Sequence, residues 1–119
     1  MFSGLQLGHE VELALDAGQP IVALESTVIT HGLPYPQNVE TAVMMETAVR
    51  ESGAIPATIG IIGGQIIIGL SQEQMTYLGQ QVGKDIVRKC SRRDLPLVTS
   101  LKEDGSTTVA GTMIVAQLA

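Results

Sequence analysis

Two apolar runs joined by a pair of glycines constrain this chain more than anything else in it. Ala57-Thr58-Ile59-Gly60-Ile61-Ile62 is followed by Gly63-Gly64 and then by Gln65-Ile66-Ile67-Ile68-Gly69-Leu70. β-Branched residues at this density favour strands, and a two-residue glycine link suits a tight antiparallel hairpin. The runs are apolar at nearly every position, so both faces of these strands need cover, which helices supply in α/β proteins. The hairpin therefore predicts an α/β fold with a mixed sheet flanked by helices, not a purely parallel one.

The flanking sequence agrees. Residues 9–17 place Val11, Leu13, Ala14 and Leu15 at helical spacing, with Gly18 as a stop. Ile21-Val22-Ala23-Leu24 reads as a buried strand ending at Glu25-Ser26-Thr27. Residues 27–35 read as irregular, broken by Gly32 and Pro34. Pro36 opens a long helix over 37–51, with Val39, Ala42, Val43, Glu46 and Val49 at helical intervals. Ser71 and Gln74 form a capping-box pattern ahead of a helix over 72–81. Residues 84–89 read as a short strand leading into the segment 90–96. Asp104-Gly105 reads as a turn, with Ser106 or Thr107 capping a last helix.

Composition narrows the partners. The 119 residues carry a net charge of −5 and only three aromatic side chains, which argues against binding nucleic acid or an anionic membrane surface. No apolar stretch approaches the ~20 residues of a membrane span. A single cysteine, Cys90, cannot form an internal disulfide, and no secretory signal is read at the start. A cytoplasmic location is expected. The final stretch, 112–119, is apolar, with no glycine cap, basic last turn or polar tail. Residues 1–119 are therefore expected to be the N-terminal portion of a larger α/β domain, the alternative being a small domain with a buried C-terminal helix.

Three places could carry chemistry. Glu25 directly follows an apolar strand, and α/β sheets bind ligands at the carboxyl ends of their strands. A carboxyl held partly out of water there suits general acid–base work, although a turn cap or ion-pair partner would look the same in sequence. His31 lies in the same breaker-rich segment and either lines a site or bonds loop backbone. No second histidine stands at metal-ligand spacing, so a zinc site is not expected.

The second place is Arg88, Lys89, Arg92 and Arg93, four of the seven basic residues of an acidic chain. Such a cluster suits an anion such as phosphate, or forms a solvated face paired with Asp85 and Asp94. Both are expected: one or two members reach substrate, while Arg93 and Asp94 hold the loop. The third is residues 104–109, small and hydroxyl-rich, which could offer backbone N–H groups to an anion; on spacing alone an ordinary helix cap is favoured. Gly60–Gly64 is no dinucleotide fingerprint, because strand-like residues follow it. Cys90 sits beside basic residues, which would lower its pKa, but no histidine pairs with it in sequence.

Four blocks of this chain, in order, resemble the pseudouridine-5'-phosphate glycosidases, also called indigoidine synthase A-like proteins. They are residues 23–38 (ALESTVITHGLPYPQN), 53–59 (GAIPATI), 89–96 (KCSRRDLP) and 105–109 (GSTTV). The resemblance implies reversible cleavage of the carbon–carbon bond between uracil and ribose 5-phosphate through a lysine Schiff base. It implies Glu25 as proton donor and Lys89 and Val109 as substrate contacts, Val109 through its backbone. His31, Arg92, Arg93 and Thr108 are expected to support them. A C–C glycosidic bond offers no heteroatom lone pair for an acid to protonate, so an iminium at C1′ is needed to make uracil leave. The resemblance further implies a homo-oligomer and a manganese ion. The Schiff-base lysine and the metal ligands are expected beyond residue 119, with no metal ligand in this chain. The alternatives are a phosphosugar- or nucleotide-binding module, and an inactive fragment.

Overall fold

A computed structural model describes residues 4–119. The chain runs β1 (Leu5–Leu7), α1 (His9–Asp16), β2 (Ile21–Leu24), α2 (Thr27–Thr30), α3 (Gln37–Glu51), β3 (Ile55–Ile62), β4 (Gln65–Ile68), α4 (Gln72–Gly79), β5 (Val87–Cys90), α5 (Leu95–Ser100), β6 (Asp104–Thr107) and α6 (Val109–Leu118). A single 3-10 turn, Arg92–Asp94, precedes α5. Gly63 and Gly64 have φ values of 58° and 81°. Two successive left-handed residues are what a tight β-hairpin demands and what glycine adopts without strain.

The six strands form the expected mixed sheet, ordered β1-β4-β3-β6-β5, with β2 also on β3. β3 pairs antiparallel with β4 along one edge. Its other edge is shared: β2 lies parallel to Ile55–Thr58 and β6 antiparallel to Gly60–Ile61. The carboxyl ends of β2 and β6 therefore meet head-on beside the middle of β3. β5 runs parallel to β6, so its carboxyl end arrives at the same place.

Alternation along the strands divides the core into two layers. Ala57, Ile59, Ile61, Ile66 and Ile68 face α1, α5 and α6 through Val11, Leu95, Val98 and Val115. Ile67, Leu70 and Val87 face α2, α3 and α4 through Ile29, Ala42, Met75 and Leu78. Gly60 lies on this second face, where a Cβ would come within 2.9 Å of Leu70 and 3.2 Å of Leu78. Two-sided cover explains why these strands lack polar alternation. Among the described residues no helix is long and apolar enough to cross a membrane.

One acid is buried in the second layer. Glu46 on α3 accepts a hydrogen bond from the Thr58 hydroxyl at 2.5 Å, with Arg50 3.7 Å from its other oxygen. Burial pushes the Glu46 carboxyl above its ordinary range, against the lowering effects of Thr58 and Arg50. The unfolded chain thus ionises first, near pH 4.5, and stability falls as pH rises from there through the folded pKa. Glu46→Gln keeps an acceptor for Thr58 and removes the charge. Urea unfolding should find this variant more stable than wild type at pH 7, with the difference closing at pH 4; a constant difference would refute the assignment.

Several expectations are corrected. Residues 27–30 form a helical turn rather than irregular chain. The strand read at 84–89 begins only at Val87, because Gly83 and Asp85 take positive φ values of 78° and 59°. Asp104-Gly105 is not a turn but the start of β6, between β3 and β5. The cap of α6 is accordingly Thr108, not Ser106 or Thr107, and its hydroxyl accepts from the Gly111 N–H at 3.2 Å. The segment after Cys90 holds a helix, α5, with Pro96 in its first turn, where a missing N–H costs nothing.

Candidate active site

The head-on junction is built from hydroxyls. The Ser26 N–H donates to the Thr107 carbonyl at 3.1 Å, and the Thr107 N–H donates back to the Ser26 hydroxyl at 2.8 Å. The Thr27 hydroxyl donates to the same Thr107 carbonyl at 2.9 Å. The Thr107 hydroxyl gives its proton to the Ile59 carbonyl at 3.0 Å, so the Thr112 hydroxyl must donate to it across 2.7 Å. Ser26, Ser106 and Thr107 are fully buried. Where two strands stop end to end, backbone groups lose their ladder partners, and these side chains replace them.

Glu25 leaves β2 at this junction, half-buried. Its Oε2 accepts the Thr27 N–H at 2.8 Å. The carboxylate thus caps the α2 turn, yet its other oxygen makes no hydrogen bond among the described residues, so capping and proton donation are compatible. Lys89 stands opposite Ser106 in the ladder, exposed and without an ion pair among the described residues. The Thr108 N–H bonds the Cys90 carbonyl at 3.0 Å, tying the end of β5 to the start of α6. Val109 opens that helix, 65% exposed. Glu25, Lys89, Thr108 and Val109 are therefore carried by three strand ends that bond one another directly.

His31 joins them from the C-terminal side of α2. Its Nδ1 lies 2.7 Å from the Thr30 hydroxyl, which donates to the Ser106 hydroxyl at 2.6 Å. His31, Arg88 and Lys89 line one cavity of about 540 Å³. The direct bond between Thr30 and Ser106 was not foreseen. Both fall in segments of interest, but a contact 76 positions apart leaves no local signal.

The basic cluster divides. Arg88 forks onto one oxygen of Glu103 through Nε at 3.0 Å and Nη2 at 2.9 Å. That partner was not anticipated; neither Asp85 nor Asp94 forms an ion pair with the cluster among the described residues. Arg92 and Arg93 are exposed on the 3-10 turn and do not line the cavity. The Ser91 N–H and hydroxyl both donate to Asp94 at 2.9 Å, holding its carboxyl below its ordinary range, with Arg93 a lesser contributor. Ser91, rather than Arg93, holds this loop.

Cys90 reverses the expected direction. Burial, aided by the nearby Asp94 charge, pushes its thiol up to about 11, outweighing Arg88. A thiol is a poor nucleophile in that state. Iodoacetamide at pH 7.5 should leave Cys90 unmodified in the native protein and alkylate it in guanidinium; rapid native alkylation would contradict its burial.

A second cavity, of about 640 Å³, is larger and holds Gly8, Glu46, Arg50 and Gly69 but none of the strand-end residues. The site is assigned to the junction on its chemistry, since the strand ends that bond one another there carry a half-free carboxylate, an ammonium with no ion pair among the described residues and a helix start; Lys89, but not Glu25, Thr108 or Val109, lines the 540 Å³ cavity. Among the described residues no three His, Cys, Asp or Glu side chains come together as a metal-binding group.

Fold and junction define an α/β protein whose polar strand ends meet beside one central strand, the kind of place where such sheets take small polar ligands. The chain belongs to the indigoidine synthase A-like protein family, whose model matches residues 10–119. The pseudouridine-5'-phosphate glycosidase of Alkaliphilus metalliredigens is 56% identical over 115 residues, 97% of this chain and 36% of that protein. The prealnumycin C-glycosynthase AlnA, solved in complex with ribulose 5-phosphate, superposes with a TM-score of 0.81 at 38% identity, covering 96% of this chain and 35% of its own. An indigoidine synthase A-like protein from Thermotoga maritima superposes at 0.79 with 28% identity, over 96% of this chain and 36% of its own. The chain spans about a third of the length of these relatives.

Proposed function

We propose that this chain supplies the proton-donor portion of a pseudouridine-5'-phosphate glycosidase. The junction that gathers Glu25, Lys89, Thr108 and Val109 at three strand ends carries the reading, and the 56% identical glycosidase supports it. In this reading a lysine amine bonds to C1′ of the sugar as the C1′–O4′ bond breaks, and a proton passes from the nitrogen to O4′ as the ring opens. The nitrogen lone pair then expels uracil: the C1′–C5 bond breaks, C1′ becomes an iminium, and the uracil carbon takes a proton from Glu25. Water hydrolyses the iminium and releases ribose 5-phosphate. Lys89 and the α6 start bind the polar substrate.

The described residues do not fit a manganese site, since they bring no donor set together. We place the metal ligands, like the Schiff-base lysine, in protein beyond residue 119, and no step above runs through the metal. The reading carries with it a homo-oligomer acting in the cytoplasm, the lone buried Cys90 being suited to a reducing compartment.

The test uses the complete gene product. It should release uracil from pseudouridine 5'-phosphate, whereas the 119-residue chain alone should not. Borohydride added during turnover should fix a ribose 5-phosphate adduct on a lysine outside residues 1–119. An adduct on Lys84, Lys89 or Lys102, or turnover by the 119-residue chain, would overturn the assignment.

A further inference from the structure

The hydrogen bonds of His31 fix more than its position. The Thr30 hydroxyl has one proton, and its geometry suits it as the donor to Ser106 at 2.6 Å. It then has only lone pairs to offer the imidazole nitrogen 2.7 Å away, which calls for the hydrogen on Nδ1 of His31, with the Ser106 hydroxyl 3.4 Å from the same nitrogen as a second acceptor. Ser106 is fully buried and Thr30 only 4% exposed, so water does not compete for this chain of bonds. A neutral imidazole has one N–H. With Nδ1 committed inward, Nε2 on the far side of the ring is a bare acceptor. The ring itself is exposed and lines the 540 Å³ cavity together with Lys89. Of the other charged groups there, Arg88 and Glu103 neutralise each other, which leaves Lys89 and Asp85 to face a ligand.

We propose that His31 is a further ligand-binding residue: the Thr30–Ser106 pair holds its ring in the Nδ1–H form, so that Nε2 accepts a hydrogen bond from a sugar hydroxyl of the phosphosugar held by Lys89. The proposal rests on the phosphosugar reading of this site and deepens it. A hydroxyl needs an acceptor where a phosphate needs a donor, and the relay presents the acceptor. Thr30 and Ser106 are positioning residues, acting through His31.

The experiment is nitrogen NMR on the histidine-labelled complete gene product, with ribose 5-phosphate as probe and His31→Gln to identify the His31 signals. The neutral His31 ring should be the Nδ1–H tautomer. Adding ribose 5-phosphate should move its Nε2 resonance. Thr30→Val should shift the ring toward Nε2–H and weaken binding about fivefold to tenfold, the scale of a single hydrogen bond. His31→Gln, which can place a carbonyl near the Nε2 position, should retain more affinity than His31→Phe. An Nε2–H ring in the wild type overturns the proposal. So does an unmoved Nε2 resonance when the amide of Lys89 shifts, which would leave the phosphosugar reading standing. No shift at any amide would overturn that reading and the His31 hydrogen bond with it.

Discussion

Glu25→Gln in the complete gene product is expected to lower kcat by ~10²–10⁴, the usual contribution of a positioned acid, with a much smaller change in KM. The local geometry makes this a clean substitution. Glu25 holds the Thr27 N–H with Oε2 at 2.8 Å. A glutamine carbonyl can accept the same bond, so the α2 turn and the Ser26–Thr107 pairing behind it stay in place. The variant forfeits only the ability to deliver a proton. Release of uracil should slow, and the adduct trapped by borohydride should form more slowly in step with it, because the iminium arises only as uracil leaves. Wild-type kcat in Glu25→Gln would remove the acid from the mechanism and leave Glu25 as a cap alone.

The second large effect is on stability. Thr107→Val should destabilise the fold by about 2–5 kcal/mol. Valine nearly matches the volume, so no cavity term enters. The penalty is polar: the Ile59 carbonyl loses its donor at 3.0 Å and the Thr112 hydroxyl its acceptor at 2.7 Å, both at a fully buried residue. Groups stranded out of water cost more than the bonds they made were worth. Thr107→Ser keeps both bonds and drops a methyl, for roughly 1 kcal/mol. Urea unfolding should rank wild type, Ser and Val in that order; equal midpoints for Val and wild type would show that the hydroxyl chain does not hold the junction.

How much the sequence discloses follows from what writes a local signal. The β3–β4 hairpin is legible because two runs of β-branched residues flank a glycine pair. α3 is legible because its apolar positions repeat at the helical interval. α4 adds its capping box, in which the Ser71 and Gln74 side chains each serve the other's backbone N–H. β6 is illegible by the same logic. Its Ser106 and Thr107 are buried against other hydroxyls, so the strand carries no apolar run and reads as a turn and a cap. β1 is three residues long and leans on β4. α2, with β-branched Thr27, Val28 and Thr30, is held by bonds from Glu25 and Asn38 rather than by propensity.

The candidate site divides likewise. Glu25 stands out because it ends a predicted strand, where α/β sheets bind ligands, and Lys89 because it falls in the basic cluster and in a block that resembles the family. Their convergence could not be read. It depends on β2 and β6 sharing one edge of β3 from opposite directions, a matter of pairing register. For the same reason the basic cluster looks uniform in sequence, though Glu103 neutralises Arg88 and the 3-10 turn carries Arg92 and Arg93 out of the cavity.

Backbone amide mapping of the complete gene product with ribose 5-phosphate is the most direct check on where residues 1–119 meet the ligand. The strand-end assignment predicts shifts confined to residues 25–31, 87–90 and 106–109. Shifts gathered instead around Gly8, Glu46, Gly69 and Ser71 would move the binding site to the larger cavity and contradict it.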